Sequence, residues 1–111
     1  MIGPVERLLF IAQRGTAVVL APLVLIHLGL ILVAVRDSLT GAEILARTQG
    51  SIGWALFYGL FVVMVSVHAP IGIRKILREW TRMQKATIDS LAVFTAFILL
   101  ILGIRAVAAV I

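Results

Sequence analysis

Two imidazoles, His27 and His68, stand inside long apolar runs: "VLIHLGLIL" (Val24 to Leu32) and "VSVHAPIGIRK" (Val65 to Lys75). An unpartnered polar group in apolar surroundings costs roughly 2–7 kcal/mol, so each ring calls for a partner. One answer is a hydrogen bond to a neighbouring helix, the usual use of a polar side chain within a membrane bundle. A second is a metal, and histidine is a common axial ligand of haem iron. Zinc fits less well, because the chain has no cysteine and no Asp or Glu at comparable depth.

The rings must be positioned by membrane helices. The 111-residue chain is 62% hydrophobic and 14% charged, which points to a membrane protein. Charges divide it into uncharged runs of 21 residues (Gly15–Val35), 26 residues (Thr48–Ile73) and 15 residues (Ser90–Ile104). A spanning helix needs about 20 apolar residues. The third run reaches that length if Arg105 sits at an interface with its stem along the lipid. We expect an all-α membrane protein of three transmembrane helices, over about 15–36, 51–74 and 88–110, in one domain. Arg7 and Arg14 precede the first span, and Arg74, Lys75, Arg78, Arg82 and Lys85 follow the second. Their excess places the N-terminus and the second loop in the cytoplasm and the C-terminus outside. The net charge of +5 thus reads as membrane orientation and not as nucleic-acid binding. "PVERLLFIAQ" reads as an interfacial helix leading into the membrane. "DSLTGAEILARTQG" reads as a short surface helix capped by Thr40. The N-terminus has neither a cleavable-signal layout nor a transit-peptide look, which favours a bacterial or archaeal cytoplasmic membrane.

Helix rise sets the depths. At 1.5 Å per residue His27 lies roughly 20 Å from Arg14, and His68 about 9 Å from Arg74. The two levels differ by about 10 Å, so one iron cannot take both rings from straight antiparallel helices. If both are ligands, two haems are stacked across the membrane, each completed by a histidine of another chain. If one is, His68 is favoured. Gly72 lies one turn on, where a missing side chain lets a porphyrin approach, or simply lets helices pack. Pro70 frees a backbone carbonyl and favours a bend. Three helices enclose little volume, so a partner subunit is expected.

"HAPIGIRKILREW" resembles the His-Ala-x-x-Gly…Asp-Tyr segment of the small membrane-anchor subunit of succinate dehydrogenase (succinate:quinone oxidoreductase), and "QRGTAVVL" resembles the Arg-x-Thr-Ala segment that opens that subunit's first helix. The resemblance covers most of the chain in layout and about twenty residues in motif. It implies half of a heterodimeric haem-binding bundle. In it, a second anchor subunit shares haem b and an iron–sulfur and a flavoprotein subunit dock on the cytoplasmic face. Electrons from succinate, or toward fumarate, then exchange with quinone. By the resemblance His68 falls on the haem b ligand, and Glu79 and Trp80 on an Asp-Tyr pair beside the quinone site. Glu79 keeps a carboxylate. Trp80 replaces a phenol by an indole, which can still donate a hydrogen bond or act as an interfacial anchor. His27 matches two-haem relatives, and two haems are expected over one. Arg14 and Arg105 are then candidates for haem propionates or the quinone vicinity, Arg105 at the outer haem or at outer headgroups. "RKILREWTRMQK" suits docking an acidic partner or anionic lipid.

Other readings are a haem-free anchor of the fumarate-reductase type and a cytochrome b half-subunit of another dehydrogenase. A transporter component is disfavoured by the scarcity of polar residues in the spans. No nucleophile–base pair, phosphate loop or carboxylate dyad marks an enzyme acting alone.

Overall fold

A computed structural model describes residues 3–111, which form four helices. These are α1 (Pro4–Arg36), α2 (Gly41–Thr48), α3 (Ile52–Trp80) and α4 (Lys85–Val110). α1, α3 and α4 are long and apolar enough to cross a membrane. The fold is all-α and the chain is a multi-pass membrane protein. α3 is central, with α1 packed on one side of it and α4 on the other. The bundle thus has one end that gathers the start of α1, the end of α3 and the start of α4. It carries Arg7, Arg14, Arg74, Lys75, Arg78, Arg82 and Lys85 and is called here the basic end. α2 lies at the far end.

α1 begins with Pro4 at its first turn, where a missing N–H costs nothing, and runs unbroken for 33 residues, about 50 Å. "PVERLLFIAQ" is therefore continuous with the apolar run, in one helix. No proline or turn pair separates it from the apolar run, and a helix once started propagates at little cost. α3 likewise continues through Pro70 and the basic run to Trp80. Pro70 lacks an N–H, so the Ser66 carbonyl loses its α-helical partner. α4 starts at Lys85, three residues before the predicted boundary.

α2 is stabilised locally. The Thr40 side chain accepts from the Glu43 N–H at 3.2 Å, and the Glu43 carboxylate accepts from the Thr40 N–H at 3.4 Å, a reciprocal cap. α2 in turn holds the end of α4. The Thr48 hydroxyl donates to the Val110 carbonyl at 2.7 Å. The Gly50 N–H donates to the Ile111 carbonyl at 3.0 Å. Gly50 has φ +73°, the left-handed region that glycine tolerates best.

The buried apolar core is small: Leu20, Leu23, Ile88 and Ala92. Most large apolar side chains face outward, as suits lipid or another subunit. The tightest approach is at Gly103 on α4. A Cβ there would lie 2.5 Å from Val62 Cγ1 on α3, so only glycine permits this spacing of the two helices.

Candidate functional site

α1 presents Thr16, Leu20, Leu23 and His27 at heptad-like spacing along one face. The first three are buried and His27 is half-buried. The two polar members of this stripe meet different surroundings on α3.

Thr16 faces His68, its Oγ1 3.0 Å from the ring Nδ1. The same oxygen is 2.7 Å from the Ala12 carbonyl and 3.1 Å from the Gln13 carbonyl. Both carbonyls can only accept, so when the single hydroxyl proton goes to one of them the oxygen offers His68 a lone pair, the ring donates its Nδ1–H, and Nε2 of the neutral ring keeps its own lone pair. Gly72, one turn further along α3, has the Gln13 side chain as its neighbour, 3.4 Å from where a Cβ would stand. The close approach that Gly72 allows within this chain is made by that amide.

His27 lies at the other level. Its ring meets Tyr58 edge-on at 6.0 Å and Phe61 at 5.4 Å between centroids. Its Nδ1 is buried and has no hydrogen-bond partner among the described residues. His27 lines a half-open cavity of about 300 Å³ together with Thr48 of α2, Tyr58 and Val62 of α3, and Gly103 and Val107 of α4. From Thr16 to His27 is eleven residues, about 16 Å along α1, and from Phe61 to His68 is seven, about 10 Å along α3. The rings are on separate levels. Among the described residues, no three His, Cys, Asp or Glu side chains gather.

At the basic end Arg74 joins all three long helices. Its guanidinium donates from two nitrogens to the Glu6 carboxylate at 2.8 and 3.2 Å and from Nε to Asp89 at 2.7 Å. The forked guanidinium suits this, because it can serve two carboxylates in one plane. Arg78 adds a 3.1 Å contact to Glu6. Glu6 precedes the apolar span, and its hydrogen bonds from Arg74 hold the carboxyl down at about 2.

The remaining sequence candidates stand apart from the rings. Arg14 lies over the Phe10 ring of its own helix at 5.1 Å and is exposed, whereas Thr16 two residues on is buried. Arg105 is exposed on α4, beside the cavity-lining Ala106. Glu79 is exposed, and among the described residues it has no ion-pair partner. Trp80 ends α3 and is 81% exposed.

Sequence reasoning gave no role to Thr16, although it stands in the "QRGTAVVL" segment, and passed over Gly103 and the pairing of Arg74 with Glu6 and Asp89. Thr16 carried a second signal, a hydroxyl on the stripe that ends at His27. For Arg74 the signal was an acid at the same end of each neighbouring span.

Three apolar helices with an imidazole held between two of them define a small multi-pass membrane subunit with a nitrogen base at membrane depth. A family model described as succinate dehydrogenase/fumarate reductase transmembrane subunit matches residues 2–108. The chain belongs to that family of membrane-anchor subunits. No curated protein and no solved structure matches it.

Proposed function

We propose that this chain is a haem-binding anchor of a succinate:quinone oxidoreductase, with His68 Nε2 as an axial ligand of haem b. The observation that carries the reading is the Thr16–His68 hydrogen bond. It ties Nδ1 to the protein and leaves Nε2 as the free base, the arrangement of most metal-binding histidines. This chain offers one imidazole per level, so a second protein ligand to the iron would come from a second anchor subunit. When bound, haem b passes single electrons between the soluble subunits and quinone.

The chain's own residues have three tasks in this reading. His68 is kept oriented by α1. The exposed basic residues after Arg74, with Glu79 and Trp80 at the end of α3, form the cytoplasmic surface for the iron–sulfur and flavoprotein subunits and the border of the quinone site. The basic end faces the cytoplasm of a bacterial or archaeal cell, because Lys and Arg excess marks that side. A second haem at His27 is supported by the separate levels and by the orphan Nδ1, a buried polar atom without a hydrogen-bond partner among the described residues. Arg105 on the same half of α4 is then a candidate for its propionate. The test is a reduced-minus-oxidised spectrum and a pyridine haemochrome assay on the complex purified with its co-expressed subunits. Two haems per complex are expected. A complex with no haem overturns the reading in favour of a haem-free anchor.

A further inference from the structure

We propose that Thr16 is the positioning residue of His68: it selects the Nδ1–H tautomer and aims Nε2 away from α1, and so sets the electron richness of the ligand. The effect on iron rests on the haem reading above, whereas the tautomer rests on hydrogen bonding alone.

The case is one of proton counting. Thr16 is 7% exposed, so water does not compete for its hydroxyl. One hydroxyl proton faces two backbone carbonyls, Ala12 at 2.7 Å and Gln13 at 3.1 Å. A β-branched side chain bonded back to its own helix has little rotamer freedom. The approach to the Ala12 carbonyl is shorter than that to the ring, 2.7 against 3.0 Å, which assigns the hydroxyl proton to the carbonyl, so Oγ1 acts as acceptor toward a ring nitrogen that carries a proton. A neutral imidazole has one such proton, so Nε2 is the base. A hydrogen bond donated from the far ring nitrogen makes a histidine ligand more basic, which favours the ferric state. The acceptor sits on α1 and the ring on α3, so the pairing of these helices and the orientation of the ring are one interaction.

Two measurements separate the parts. The first is ¹⁵N spectroscopy of the full-length chain, histidine-labelled and haem-free, in lipid nanodiscs. His68 is expected to show protonated Nδ1 and unprotonated Nε2. A proton found on Nε2 overturns the proposal, whether or not the native complex holds haem, and no variant is needed. The second is a potentiometric titration of the whole complex with Thr16→Val and Thr16→Ser. Thr16→Val is expected to raise the midpoint potential of the basic-end haem and to alter its low-spin resonance signal, and Thr16→Ser to restore both. Unchanged potential and signal in Thr16→Val overturn the tuning role. The expected tautomer in a chain whose native complex has no haem upholds the positioning and overturns only the haem reading.

Discussion

At the basic end His68 bonds to Thr16, and a turn and a half further along the same helix Arg74 holds Glu6 and Asp89. At the far end His27 meets Tyr58 and Phe61 edge to face, and its Nδ1 has no hydrogen-bond partner among the described residues. Each region holds one imidazole at the seam of α1 and α3, yet one Nδ1 is satisfied and the other is not. In a low-dielectric medium a satisfied polar group costs little, while an orphan is costly until something outside the chain completes it. Nδ1 of His68 is anchored and Nδ1 of His27 is not; Gln13 Oε1 and Ser66 Oγ, nearer the basic end, are also buried without partners among the described residues, so the contrast belongs to the two rings and not to the two ends as wholes.

The largest expected effect tests that contrast directly. On the proposed haem reading, His68→Ala is expected to remove haem at the basic end completely, and His27→Ala to remove only that at the far end and so to halve the haem per complex. Optical spectra and haemochrome assays of the two variants read this out. Loss of all haem in His27→Ala, or none in His68→Ala, breaks the comparison.

Next in size is the far-end packing. Gly103→Ala drives a methyl onto Val62 and is expected to destabilise the complex by about 1–3 kcal/mol, the usual cost of overpacking. Val62→Ala in the same chain makes room and recovers part of the loss. Thermal unfolding in detergent measures both.

The basic end has an acid dependence. The Glu6 carboxyl is held at about 2, below its ordinary 4.5, by the guanidinium of Arg74. The folded form thus binds a proton less readily than the unfolded one, and this contribution to stability is fully present above pH 4.5. It falls away as pH drops toward 2. Glu6→Gln is expected to flatten that part of the acid limb of a melting-temperature profile. An unaltered limb shows that the ion pairs contribute nothing there.

The smallest effect is confined to α2. Thr40→Ala removes the reciprocal cap and is expected to cost about 0.5–1 kcal/mol, the lower part of the range for such caps. Amide exchange in α2 should quicken while that around Thr16 and His68 stays unchanged.

What was legible in the sequence follows the range of the interactions. Three long apolar helices are written as uncharged runs, since lipid leaves no other way to satisfy the backbone. The Thr40 cap is equally local, a threonine three residues before a glutamate. The depths of His27 and His68 follow from helix rise and the charged edges alone. The Thr16–His68 bond spans 52 residues, and the Arg74–Glu6 pair spans 68. Neither can be read without knowing how α1 is rotated against α3. Gly103 gave no warning, because its neighbour is a single valine on another helix. The continuity of α1 through "PVERLLFIAQ" was concealed by the charges at Glu6 and Arg7, which resemble an interfacial segment until Glu6 is seen to pair with α3.

The seam at the far end, where Thr48 and Gly50 take up the Val110 and Ile111 oxygens, occupies two acceptors that the backbone ladder of α4 leaves open. It also ties the connection between the first two spans to the third, so that a displacement of α2 is felt directly by α4.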